Sequence, residues 1–159
     1  MRKALKAAIA VYIIAICAMC FMPQMLFPNF KAFETPGIQH FGRITAILTP
    51  ANTLVHLGKI PTIGDLAVIV GQNLANIFLL LPLVLGLLLL RKNQMSLAKV
   101  VLMTFCISLT IELTQVVLDL LFDFNRVFEV DDLITNTLGG VIAYFINRGI
   151  KKYGIFNFK

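Results

Sequence analysis

Apolar positions fill four long runs of this chain, at about residues 4–26, 66–90, 98–122 and 131–148. Polar positions fall in the breaks between them or in narrow stripes within them. Each run is close to the ~20 residues that cross the hydrocarbon core of a bilayer. The first is unbroken from Ala7 to Met22. It reads as a retained membrane helix ended by Pro23 and Pro28, because Ala15-Ile16-Cys17 is a poor small-x-small cleavage site. Pro82 predicts a kink in the second run, since proline lacks the amide hydrogen and crowds the preceding turn. Between these two runs, Pro28, Pro36, Pro50 and Pro61 argue against a further spanning helix. There Ile38, Phe41, Ile44, Ile47 and Leu48 recur at helical spacing, which predicts a short amphipathic helix on the membrane surface. The fold class expected is all-α integral membrane: a single domain, residues 1–159, with four transmembrane helices and a short amphipathic helix in the first outer loop.

Composition agrees with a membrane protein and excludes a soluble enzyme. Of 159 residues, 58% are hydrophobic and 14% charged, where a soluble domain has about 25% charged. The net charge of +6 is unevenly placed. Ten of fourteen basic residues (Arg2, Lys3, Lys6, Arg91, Lys92, Lys99, Arg148, Lys151, Lys152 and Lys159) fall near the two termini or bracket the 91–97 turn. Four spans put those segments on one side, so the positive-inside rule predicts a multi-pass cell-membrane protein with both termini cytoplasmic. Basic residues so placed speak against a nucleic-acid partner. Cys17, Cys20 and Cys106 lie inside apolar runs, and no His or Cys cluster has metal spacing. No cofactor motif is present, and no feature specifies an oligomeric state. His40 and His56 read as hydrogen-bonding bystanders.

The polar residues inside the runs are ordered. At 100° per residue, Ser108, Glu112, Gln115 and Asp119 fall within roughly 80° of Thr104 on the third helix. In the second run Gln72, Asn76 and Gly86 share a side. In the fourth, Asp132, Asn136, Gly139, Gly140, Ala143 and Asn147 share one. Thr135, Gly139 and Ala143 form a small-xxx-small series that admits a neighbouring backbone. Counting 1.5 Å per residue from the outer ends puts Asn73 and Asn76 roughly 10–15 Å in, Glu112 and Gln115 at a similar depth, and Asp132 and Asn136 in the first turns of the fourth helix, so that Asn76, Glu112, Gln115, Asp132 and Asn136 can converge in the outer half of the bilayer. Asp131, about 100° from Asp132, suits the positive end of the helix dipole. Arg126 lies on the short 123–130 loop above these groups. It is expected to contact Asp132 or Glu112, because a guanidinium pairs bidentately with a carboxylate. Amides alone would fit interhelical bonding worth about 0.6 kcal/mol each. Carboxylates cost about 2.5–3.5 kcal/mol at mid-membrane, so several at one depth exceed what packing alone justifies.

At these residues the chain resembles the VanZ-like family. The matching features are Asn76, Phe78, Pro82 and Gly86 in NIFLLLPLVLG, then Glu112-x-x-Gln115, then Arg126 followed by Val130-Asp131-Asp132 and Asn136-Thr137-Leu138-Gly139-Gly140. Pro50-Ala51-Asn52 is a weaker echo, and Val84 stands where the family's Pro-x-Gly has its glycine. The likeness covers about residues 50–148. It implies a small bacterial membrane protein whose namesake is linked to teicoplanin resistance. Two functions are then expected to compete. In one, a pocket in the outer leaflet (Asn73, Asn76, Glu112, Gln115, Arg126, Asp131, Asp132, Asn136) binds a membrane lipid or lipid-linked envelope precursor. In the other, an enzyme modifies a lipid-linked envelope substrate with Glu112 and Asp132 as acid and base, with or without a divalent cation. Proton-coupled transport lacks the internal repeat it would use.

Overall fold

A computed structural model describes residues 2–23 and 35–153. The chain runs α1 (Arg2–Phe21), β1 (Gln39–Phe41), β2 (Ile44–Ile47), α2 (Asn52–Val55), a 3-10 turn (Leu57–Lys59), α3 (Ile63–Leu90), α4 (Leu97–Phe122), β3 (Val127–Glu129) and α5 (Val130–Lys152). The expected end of the first span at 24–26 lies outside the described residues, as do Pro28, Lys31 and Lys159.

The expected four spans are corrected to three. Among the described residues, only α1, α3 and α4, of 20, 28 and 26 residues, are long and apolar enough to cross a membrane. The 23 residues of α5 suffice in length. Its sequence is too polar, with Asp131, Asp132, Asn136, Asn147, Arg148, Lys151 and Lys152 among them. The helix is accommodated by packing its polar side inward, chiefly on α3 and also on α4. Asp131, Asn136 and Asn147 are all buried there. Two glycines let it come close. A Cβ on Gly139 would overlap the Ile77 carbonyl oxygen of α3, and one on Gly140 would overlap the Thr104 side chain of α4.

Local signals set the helix ends. The Thr62 hydroxyl accepts from the Asp65 amide at the start of α3, and Ser96 caps α4 through the Lys99 amide. Asp123 closes α4 in the left-handed region, at φ 60°. Helix α3 runs without a break through Pro82. One turn before that proline, the Tyr12 hydroxyl of α1 donates to the Leu79 carbonyl at 2.9 Å. The apolar core joins Ile16 and Cys20 of α1, Leu80, Leu83, Val84 and Leu88 of α3, Val100 and Ile111 of α4, and Ala143 of α5.

The expected amphipathic helix over 38–48 is also corrected. Residues 39–47 form a β-hairpin, with Phe41 paired to Ile44 around Gly42-Arg43. Gly42 has φ +65°, the sign that a tight hairpin needs at its first turn position. Strand β2 then pairs in parallel with β3, Thr45 opposite Val127 and Ile47 opposite Glu129. Ile47 is fully buried and Ala46 nearly so. This small sheet covers the α4–α5 connection. At the bundle's other end, Arg2 Nη2 donates to Leu90 O at 2.8 Å and Lys151 Nζ to Arg91 O at 3.3 Å. The start of α1, the α3–α4 turn and the end of α5 therefore meet.

Candidate functional site

The buried face of α4 is polar along its length: Thr104, Ser108, Glu112 and Asp119 are all buried, and Gln115 is half-buried. These positions recur every three or four residues, so one stripe of the helix carries them all. The stripe faces α5 at one level and the β3 segment at the next. Asn136 of α5 donates to Ser108 Oγ at 3.0 Å, and Ser108 reaches the Asp132 carbonyl at 3.4 Å. The Asn136 Oδ1 atom is buried with no partner among the described residues. Asp132, half-buried, accepts from the Asn76 amide of α3. Glu112 is 2% exposed. Among the described residues it makes one hydrogen bond, from the Glu129 backbone N–H at 3.3 Å.

Asp131 has a different environment from its neighbour. Its two carboxylate oxygens accept from the backbone N–H groups of Ala51 and Asn52, at 2.6 and 2.9 Å. Ala51 sits in the left-handed region at φ 53°, which is uncommon for a residue with a Cβ. The carboxylate therefore clamps a turn that the backbone does not favour. Asn52 continues the link: its amide donates to Pro36 O at 2.7 Å, and its oxygen lies 2.8 Å from His56 Nδ1. The Pro50-Ala51-Asn52 echo and Asp131 are thus one structural unit.

Arg126 departs from expectation. Its guanidinium has no carboxylate oxygen within 4.0 Å among the described residues; the ion pair found there joins Arg43 to Asp123 at 3.6 Å on the surface. Instead Nη2 donates to the carbonyls of Met19 and Met22, at 3.2 and 2.6 Å. It thereby satisfies the open end of α1, where a cation is favoured by the helix dipole. The expected contact with Asp132 or Glu112 is replaced because these unpaired carbonyls are the nearer acceptors. Gln115 does similar work, its amide donating to Cys20 O at 2.9 Å. The Arg126 backbone N–H donates to Asp119 Oδ1 at 3.1 Å.

The structure thus joins Asn76 to Asp132, Asn136 to Ser108, and Glu112 to the β3–α5 junction. It places Gln115 and Arg126 on α1, and Asp131 on the α2 turn. Asn73 is half-buried and makes no side-chain hydrogen bond among the described residues. Glu129, not singled out from sequence, joins the group. Burial first, then the Asp132 and Asp131 charges, push its carboxyl up to about 8. Its signal was available, an acid two residues before an Asp-Asp pair at a helix start. Among the described residues no group of three or more His, Cys, Asp or Glu could hold a metal ion.

Long apolar helices enclosing a stripe of amides and carboxyls define a multi-pass helical membrane protein. Residues 9–151 match the VanZ/LLP1 family, and the chain belongs to that family, as the resemblance implied. No curated protein matches the chain, and no solved structure does.

Proposed function

We propose that this protein binds a lipid or lipid-like molecule of the cell envelope at the polar layer formed by Asn76, Glu112, Gln115, Arg126, Asp132 and Asn136. In this reading the basic end faces the cytoplasm. Support comes from the meeting of Arg2, Arg91 and Lys151 at that end. The polar layer then lies toward the outer face, where envelope lipids and glycopeptides act.

The observation that carries the proposal is Glu112. A carboxyl group offers several hydrogen-bonding sites, and this one, almost fully enclosed within a spanning helix, uses one at 3.3 Å among the described residues. Structural bonding between helices would use more of it. A ligand offering hydroxyl or amine donors completes it. A second reading, an enzyme acting on a lipid-linked substrate, draws on Glu129: a carboxyl raised to about 8 keeps its proton at neutral pH and so suits a general acid.

The test is Glu112→Gln, which keeps the shape and replaces one carboxyl oxygen with an amide nitrogen. We expect melting in detergent to change by less than about 3 °C, the effect of roughly 1 kcal/mol in a chain this size. Teicoplanin susceptibility of cells expressing the variant should match that of cells lacking the protein. A large melting loss, with lower abundance explaining the whole deficit, contradicts the proposal and makes Glu112 an internal structural bond. Turnover of a lipid-linked substrate by wild type, abolished in Glu129→Gln, selects the enzyme.

A further inference from the structure

Helices α1 and α4 do not close on each other. Between them lies a cleft of about 330 Å³ walled by Ile13, Ile16 and Phe21 of α1, Leu83 of α3, and Ile107 and Ile111 of α4. Thr110 and Thr114 also line it. Their hydroxyls donate to the carbonyls of Cys106 and Thr110, at 2.8 and 2.7 Å, so their protons are spent within the helix. Cys17 and Thr110 line the cleft and are exposed, so it opens sideways. Both flanking helices are apolar enough to span a membrane. What meets the opening is therefore hydrocarbon rather than water. The volume is at the low end of the ~300–1,000 Å³ of small-molecule sites.

The slot reaches Phe21, whose chain neighbours are bound by polar side chains. Phe21 is the last residue of α1, and the carbonyls around it are held by Gln115 and Arg126. Among the described residues the guanidinium donates through Nη2 alone, and its Nε is buried without a partner. Carbonyl oxygens bind the cation but carry no charge to neutralise it. An apolar slot beside an arginine with no carboxylate oxygen within 4.0 Å among the described residues is complementary to an amphiphile with an anionic head.

We infer that the α1–α4 cleft seats one acyl chain of an anionic phospholipid whose phosphate meets Arg126. This rests on the lipid-binding reading and extends it by naming the chain's seat and the head's charge.

The test uses the full chain in phosphatidylcholine vesicles doped with phosphatidylglycerol carrying a photoreactive diazirine on one acyl chain. Cross-links are mapped by mass spectrometry. We expect roughly tenfold enrichment at Ile13, Cys17, Ile107 and Thr110 over Val11 and Leu102, which are exposed outside the cleft; that is about 1.4 kcal/mol of preference. Thr110→Trp fills the mouth from an exposed position and removes the enrichment, while Leu102→Trp leaves it. Diacylglycerol with the same tagged chain lacks the phosphate and labels the cleft no more than the outer positions. Even labelling of all exposed positions overturns the inference, as does equal cleft labelling by diacylglycerol. Displacement by inorganic phosphate alone overturns it too, since the site would then hold an anion without a chain. Even labelling combined with a changed set of copurifying lipids in Glu112→Gln removes the chain seat and keeps the lipid-binding reading. Cleft enrichment with an unchanged set in Glu112→Gln does the reverse.

Discussion

Removing the Asp131 carboxylate should release the α2 turn. Asp131 is 7% exposed and holds two backbone N–H groups 79 and 80 residues away in sequence. Hydrogen bonds to a charged group contribute about 1.5–3 kcal/mol each. Asp131→Ala deletes both and leaves the Asn52 N–H buried without an acceptor. The expected loss is about 3–5 kcal/mol. At 2–4 °C per kcal/mol for a chain of this size, melting should fall by about 6–20 °C. Asp131→Asn keeps one acceptor oxygen and should lose about half as much. The turn also gives a local readout. Ala51 holds an unfavourable backbone conformation, so without the clamp it should relax, and the Ala51 and Asn52 amides should exchange with deuterium much faster. Circular dichroism melting in detergent and hydrogen–deuterium exchange measure the two effects. If Asp131→Ala melts within about 1 °C of wild type with both amides still protected, the clamp is refuted and Asp131 is an ordinary helix-start acid.

Two other variants probe separate parts of the bundle. Glu129 has its carboxyl raised to about 8 from an ordinary 4.5, so the folded state binds more protons than the unfolded one between those values. Stability should therefore fall as pH rises from about 4.5 to 8 and level off above; Glu129→Gln should flatten that slope in pH-dependent melting. Gly139→Ala puts a methyl against the Ile77 carbonyl oxygen, a backbone atom that cannot turn aside. Overpacking of this kind costs about 1–3 kcal/mol, read as a lower melting temperature, and an unchanged one would mean that α5 does not approach α3 this closely.

The parts of this structure that were legible in the sequence are those written in local spacing. Thr104, Ser108, Glu112 and Asp119 repeat at the helical period, so the buried side of α4 could be read directly. Apolar run length likewise marked α1, α3 and α4. Span counting failed at α5 because its length matched a membrane helix while its polar residues are sheltered by neighbouring helices. The 38–48 segment failed for another reason. Ile44 and Ile47 share a helical spacing, yet the strands are short and Gly42 turns the chain between them. The decisive parallel pairing joins Thr45 to Val127, far along the chain. Arg126 was misassigned because its acceptors are the Met19 and Met22 carbonyls, and a backbone carbonyl leaves no residue-type signal. The same holds for Asp131, whose partners are the amides of Ala51 and Asn52. Sequence shows which side chains are polar; it does not show which helix ends and turns will need them.

In the function proposed for this protein, the polar layer holds a lipid. Native mass spectrometry of delipidated protein, titrated with bacterial envelope lipids, tests it most directly. A single retained lipid is expected on wild type, with affinity reduced roughly tenfold or more in Arg126→Ala, which removes a charged contact of about 1.5–3 kcal/mol, and reduced in Glu112→Gln, which removes a hydrogen-bonding carboxyl. Equal retention by wild type and both variants, or no retained lipid at all, would contradict it.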